Sequence, residues 1–479
     1  VILDELGSLA RAAGSMTGVF APTVRLGVTG LARAGKTVFI TALVHNLIAG
    51  GRLPFFRAAA EGRLIRAYLE PQPDDDVPRF AYEDHLAKLT ASPPDWPEST
   101  RRVSQLRLTL EYEPTAFLSR QLGSSALHID IVDYPGEWLL DLPLLKLNFE
   151  EWSAEAMALS RAPERAAFAR DWHEFLRGVD PNAREDEQIA MQGFELFAAY
   201  LRRCRAETSL LSTVTPGRML MPGDLEGSPA LTFMPLDLPG GAHGPRGSLH
   251  AMMARRFEAY KSHVVKPFFR DHFAKLDRQI VLIDVLGAMN SGSAALADLE
   301  RALAAILGCF RPGANSWLAS ILGRRIDRIL FAATKADHIH HTSHDRLEAI
   351  LQRLVQKAID RAVFSGASVQ SVALAAVRAT RELEARERGG ALACIAGTPL
   401  PGEVIDGQRF DGREEVALFP GDLPVLSGKA VASPLQGTAL NFLRFRPPAL
   451  QNDGFGANPV LPHIRLDRAM QFLFGDKLE

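Results

Sequence analysis

Val24-Arg25-Leu26-Gly27-Val28-Thr29, running straight into Gly30-Leu31-Ala32-Arg33-Ala34-Gly35-Lys36-Thr37, is the stretch that decides the fold. The first six residues read as a short strand. Phe39, Ile40, Leu43, Val44 and Leu47 then recur at amphipathic helical spacing. Between strand and helix stands G-x-x-x-x-G-K-T, a phosphate loop. Glycine lets the backbone turn and approach, and main-chain amides aim at phosphate oxygens. Gly30, Ala32, Arg33, Ala34, Gly35, Lys36, Thr37 and Val38 are therefore expected around a nucleotide's phosphates. Lys36 would reach the terminal phosphates, and the Thr37 hydroxyl would bind Mg²⁺. The bland alternative is a glycine turn with an exposed lysine, which the strand–helix context disfavours.

Two more motifs follow in order at strand ends. Asp133-Tyr134-Pro135-Gly136 closes the apolar run Leu127–Val132. In phosphate-loop proteins an acid there holds Mg²⁺, usually through water, and the glycine amide senses the γ-phosphate. Asp133 is thus a candidate metal ligand and Gly136 a candidate catalytic group. Alone, D-x-x-G is ordinary turn chemistry, so its rank rests on the loop upstream. Thr334-Lys335-Ala336-Asp337 follows the apolar run Arg328–Ala333 and matches the T/N-K-x-D guanine reader. The Asp337 carboxylate would accept two hydrogen bonds from guanine N1–H and N2–H₂, which adenine does not offer, at a discrimination of several kcal/mol. Lys335 would lie along the base and His338 beside it; the competing reading is a surface Lys–Asp pair starting a helix. After the last core strand, read as Ser371–Val377, the backbone at Val377 and Arg378 is the expected donor to guanine O6, although Ala376-Val377-Arg378 is not the usual S-A-K. Thr100 is the candidate for a threonine closing over Mg²⁺, with plain capping or a solvent contact equally compatible.

Around these motifs the chain reads as an α/β protein. Strands at Leu106–Tyr112 and Leu127–Val132 precede a helical stretch, Glu150–Arg205, and thirteen residues between Pro216 and Gly247 are Pro or Gly, a loop composition. Leu106, Leu108, Leu110 and Tyr112 alternate with polar residues, the pattern of a half-exposed edge strand. Pro54–Pro97 reads as a long proline-broken excursion. Apolar strands at Gln279–Val285 and Arg328–Ala333, with the helical segment Ala294–Leu307 between them, imply a mostly parallel sheet faced by helices. The expected division is an N-terminal helix (1–22), a first core part (23–140), a mainly helical insertion (141–277), a second core part (278–388) and a strand- and turn-rich C-terminal appendage (389–479).

Composition narrows the partners. Lys+Arg is 54 against Asp+Glu at 56, a net charge of −2, so no bulk attraction to nucleic acid exists. Cys204, Cys309 and Cys394 lack CxxC spacing, which excludes a disulfide scaffold and a cysteine zinc site. No apolar run is long enough to cross a bilayer. The expectation is a cytoplasmic protein, with a peripheral role at the inner membrane left open.

The chain resembles the YcjX-like family of bacterial P-loop GTPases, from G-L-A-R-A-G-K-T through D-Y-P-G-E-W and T-K-A-D-H to H-I-R-L-D-R-A at His463–Ala469. The resemblance implies a GTPase-like core with a large helical insertion, GTP and GDP as ligands with Mg²⁺, and a link to bacterial stress responses. It also implies a protein partner, with a small membrane protein encoded nearby as one candidate; a nucleotide-dependent dimer is a further expectation. Two residues bear on turnover. Glu137 follows D-x-x-G, where many small GTPases carry a water-orienting glutamine; it either orients water indirectly or caps the next helix. Arg33 is similar in place to the internal arginine finger of guanylate-binding proteins and either neutralises charge at the β–γ bridge, the preferred reading, or projects into water. Alternatives to a GTPase are a switch with negligible turnover and a small-molecule kinase.

Three other features have readings of their own. His338 to His344 invites a metal, since His340 and His344 could share a helix face, but no further ligand is identifiable and the stretch reads as a polar loop bordering the base. Asp284 fits the strand after the insertion better than the Mg²⁺ position. Trp138, Leu139 and Leu140 are read as buried core in preference to a mobile switch.

Overall fold

The computed structural model describes residues 21–30, 33–98, 102–115, 123–207, 215–222, 225, 227–238, 244–308, 326–364, 366–387, 390–405, 407–424, 440–450 and 459–479. Most of the expected N-terminal helix, together with Ala32 and Thr100, lies outside the described residues.

Seven strands form one sheet: β1 (Thr23–Gly30), β2 (Leu64–Glu70), β3 (Ser104–Tyr112), β4 (Ser125–Asp133), β5 (Arg278–Ile283), β6 (Arg328–Ala333) and β7 (Ser368–Ala373). Their order is β2-β3-β4-β1-β5-β6-β7. β4, β1, β5, β6 and β7 run parallel, while β3 is antiparallel to both of its neighbours. β1 is the hinge of the arrangement, with Val28 opposite Asp133 on one side and Ile280 on the other. Because the five parallel strands share a direction, Gly30, Asp133, Ile283, Ala333 and Ala373 all end at one rim of the sheet, where ligands of open α/β sheets bind.

The antiparallel edge strand is β2, not the Leu106–Tyr112 strand. β2 emerges from the proline-broken excursion and pairs with β3, Leu69 opposite Leu108. The alternation that suggested an edge reflects polar side chains covered by neighbours: Arg107 donates to both Asp130 oxygens at 2.6 and 2.9 Å, and Thr109 lies 2.8 Å from His128. The last core strand also ends earlier than its apolar run, at Ala373, which leaves 374–378 as a loop at the rim.

The helices fall into three groups. α1 (Lys36–Ile48) and α2 (Tyr82–Thr90) belong to the first part. Between β4 and β5 come a 3₁₀ segment (Gly136–Lys146) and α3 (Phe149–Ser160), α4 (Arg170–Arg177), α5 (Glu187–Glu207) and α6 (Leu249–Tyr260). α3 starts where Asn148 and Glu151 cap each other's backbone amides, a reciprocal capping box. α7 (Ser293–Gly308), α8 (His344–Phe364) and α9 (Leu466–Phe474) follow, with shorter helices such as Val285–Asn290 between the longer ones.

Period-two alternation sorts them onto the sheet. Ile280 and Leu282 of β5 face α1 and α9, whereas Val281 and Ile283 face α7 and α8. The insertion carries its own aromatic core, with Trp152 stacked on Phe257 at 4.9 Å and Trp172 on Tyr200 at 5.5 Å. Trp138, Leu139 and Leu140 are buried in it. A buried ion pair, Arg165 to Asp298 at 2.9 Å, ties the insertion to α7. The C-terminal region adds a small antiparallel sheet of β8 (Arg381–Glu387), β9 (Gly390–Gly397) and β12 (Val416–Leu418), with the hairpin β10 (Val404–Ile405) and β11 (Gln408–Arg409) between β9 and β12. α9 then returns to the main sheet, where the fully buried Arg278 of β5 binds Asp476 at 2.6 Å.

Candidate nucleotide site

The phosphate loop turns tightly because its residues permit it. A Cβ on Gly30 would stand 2.7 Å from the Leu282 carbonyl, so only glycine lets β1 run this close to β5. Gly35 caps α1 with φ 81°, left-handed backbone that glycine adopts without cost. Arg33 also has a positive φ, 63°, which few residues with side chains tolerate. The Lys36 ammonium donates to the Gly30 carbonyl at 3.3 Å, and the Thr37 hydroxyl donates to the Glu98 carbonyl at 3.4 Å. The N-terminus of α1 opens on the same space, a helix end whose first-turn amides favour anions.

The guanine-reader motif lies at the end of β6, two strands away. Lys335 takes a left-handed φ of 61° and pairs with Asp284, which also caps the helix Val285–Asn290 through the Gly287 amide at 2.9 Å. Asp284 is thus engaged outside the Mg²⁺ position. Asp337 is buried, and its Oδ2 accepts from the Ala379 amide at 2.8 Å; its carbonyl accepts from the Thr380 hydroxyl. That anchorage fixes the carboxylate while its other acceptor positions stay available. His344 does not join His340 on a helix face but sits 2.9 Å from the Ala336 carbonyl, bracing the motif from behind. Burial, then the Lys335 charge, holds the His338 imidazole below its usual pKa and therefore neutral.

One cavity of about 340 Å³ joins the two motifs. Arg33, Ala34, Gly35, Lys36, Thr37 and Val38 line one end; Thr334, Lys335, Asp337 and His338 line the other, with Val377 and its neighbours beside them. Gly30, Asp133, Gly136, Glu137 and Arg378 do not line it. Asp133 is buried at the end of β4, next to the loop strand. Arg378 is turned away: its amide donates to the Pro462 carbonyl at 2.7 Å and its guanidinium to Thr380 at 3.0 Å. The amide expected at guanine O6 is therefore spent elsewhere, and with the Ala375 amide also bound, to the Ile464 carbonyl at 3.0 Å, the Ala376–Val377 backbone is what remains at the rim.

Glu137, second residue of the 3₁₀ segment, is buried and accepts from Arg205 of α5 at 2.7 Å. This cation offsets the charge of the buried carboxylate. Arg33 is exposed but crowded: burial by the cleft walls, then the guanidinium groups of Arg444 and Arg205, lower its pKa, while Asp284 and Glu403 act in the opposite direction. Arginine nevertheless keeps its charge at neutral pH.

Motif reading missed a whole wall of the cavity. Trp96, Leu400, Arg444 and Phe445 line it. The Trp96 indole donates to the Phe445 carbonyl at 2.6 Å, the Phe445 ring meets His338 edge to face at 5.3 Å, and Glu403 clasps Arg444 at 2.7 Å. Nothing in their sequence neighbourhoods marks them; the one cue is a lone tryptophan between Pro94 and Pro97.

Thr37 and Asp133, both buried, offer only oxygen donors, a set that fits Mg²⁺ and not a soft metal. A mostly parallel sheet with a glycine-lysine-threonine loop after its central strand and the further motifs at the same rim defines an α/β fold of the P-loop NTPase type. The model of the YcjX-like family (DUF463) matches residues 24–478, and the chain belongs to that family. It is 38% identical over 466 residues to a protein of Escherichia coli (strain K12) named Ras-like GTPase YcjX, covering 95% of this chain and 96% of that one. A protein of the same name from Shewanella oneidensis is 34% identical over 479 residues, covering 95% of each chain.

Proposed function

We propose that this protein binds GTP in the cavity and hydrolyses it with Mg²⁺, acting as a nucleotide-state switch. The observation that carries the proposal is the single cavity lined at one end by the phosphate loop and at the other by an anchored Asp337. The relatives' printed name, Ras-like GTPase YcjX, supports it. Asp337 reads guanine, and Lys335 flanks the base. Lys36 leaves the Gly30 carbonyl for the terminal phosphates. Thr37 and Asp133 would hold Mg²⁺, which would supply charge neutralisation for the transfer. Water attacks the γ-phosphorus, the bond to the bridging oxygen breaks, GDP leaves, and the proton ends on the phosphate released. Arg33 places positive charge where the bridging oxygen gains electrons. Glu137, engaged by Arg205, acts as a positioning residue for the D-x-x-G turn. The helical insertion, joined to that turn, reports the bound state to a protein partner, in a stress-linked cytoplasmic or membrane-peripheral setting.

Competition between GTP and ATP, with and without Mg²⁺, tests this in the wild type and in Asp337→Asn. The wild type is expected to prefer GTP by at least about 10²-fold, and the variant to lose that preference. An unchanged profile leaves Asp337 only a structural anchor for the Ala379–Thr380 backbone. Phosphate transferred to a small acceptor instead of water identifies a kinase, and binding without release identifies a silent switch.

A further inference from the structure

We propose that His340, His341 and Glu382 form a second cation site, for a divalent transition metal of the zinc class, distinct in its residues from the Mg²⁺ position. The ligand that sequence could not supply comes from β8, 41 residues beyond His341. The three ligand atoms lie within 4.8 Å of one another. Tetrahedral zinc, with nitrogen and oxygen ligands at about 2.0–2.1 Å, spaces those atoms by about 3.3 Å. His341 Nδ1 is 2.7 Å and His340 Nε2 4.0 Å from the same carboxylate oxygen, Oε2, so the existing separations bracket that spacing.

The surroundings prepare each ligand. His340 is buried, and its Nδ1 lies 3.0 Å from the Thr342 hydroxyl. Donation to that hydroxyl points the Nε2 lone pair at Glu382, the orienting contact that metal-bound histidines use; the competing contact at Nδ1 is the Thr342 amide, longer at 3.5 Å. Arg378 approaches the other carboxylate oxygen, Oε1, at 3.6 Å and leaves Oε2 to the histidines. The His341 side chain is 63% exposed, so a fourth coordination position faces water. Two imidazoles and one carboxylate suit Zn²⁺ or its neighbours and not Mg²⁺ or Ca²⁺, which favour all-oxygen shells. Binding at Nδ1 displaces the His341 proton now shared with Glu382 to Nε2 of the same exposed ring, so the imidazole stays neutral as the cation enters. Three ligands with one open position make an exchangeable site, not a structural one.

The test titrates the full chain, without nucleotide and with millimolar Mg²⁺ present to fill oxygen sites, using Zn²⁺ alone and Co²⁺ alone as probes. One equivalent bound with a low-micromolar dissociation constant and visible Co²⁺ absorption bands are expected. Glu382→Gln and His341→Gln, neither at a fully buried position, are each expected to weaken binding at least about tenfold and to leave the metal-free melting curve unchanged. Absence of saturable binding overturns the proposal. So does equal affinity in either variant, which would place the cation on other histidines.

Discussion

Arg33 holds a left-handed backbone of φ 63° inside the phosphate loop, a conformation that costs a side-chained residue on the order of 1 kcal/mol. Retaining arginine where glycine would fit without strain argues for use of the guanidinium. Arg33→Ala is expected to lower kcat by about 10²–10³-fold with little change in GTP affinity, measured as single-turnover phosphate release beside nucleotide titration. Arg33→Gly separates charge from backbone: the same loss of kcat should accompany unchanged or higher thermal stability. An equal loss of kcat and affinity in both variants rejects the role. At this scale the site was largely legible, because Gly30 to Thr37 and Thr334 to Asp337 are contiguous and act through local backbone geometry. Arg378 shows where such reading stops, since its amide is committed to Pro462, which no local pattern announces.

The 3₁₀ segment after D-x-x-G is tied to the insertion by Asp141 as well as by Glu137. Asp141 is buried and accepts from the Gly217 amide at 2.6 Å, the Arg218 amide at 3.2 Å and the Tyr260 hydroxyl, while the Arg218 guanidinium covers the Trp138 ring at 3.4 Å. Burial pushes the Asp141 carboxyl up to about 6 against these bonds. Its folded pKa thus exceeds its unfolded one, so its proton stabilises the native state at low pH. That contribution is lost as pH rises from about 4 through about 6, and amounts to roughly 3 kcal/mol. Denaturant unfolding across this window should show the decline in wild type and a flatter curve in Asp141→Asn; parallel curves would place the titration elsewhere. Helices and strands at this scale were legible from periodicity, as Arg328–Ala333 illustrates. β2 was not, because Pro71 and Pro73 just beyond it and its own Arg66 and Glu70 mask a strand whose stability comes from pairing with β3.

Across the whole molecule, the cavity draws on Trp96 and on Phe445, 349 residues apart. No motif spans that distance, which is why this wall was invisible before the fold was known. Trp96→Ala is expected to weaken GTP and GDP binding equally, by about tenfold, and to leave kcat at saturation intact. Titration with a fluorescent nucleotide checks it; unaltered affinity for both would mean that the wall does not touch the ligand. The pairing of early and late segments recurs in the main sheet, where α9, with Leu473 and Phe474 fully buried, packs beside α1 and Asp476 neutralises Arg278. During synthesis, therefore, β1 and its loop spend nearly the entire passage through the ribosome with the share of that face that α9 covers still open. Final closure waits until Asp476 clears the exit tunnel, so the rim that carries Gly30 and Ala333 should gain its full rigidity only after translation has carried the chain past that point.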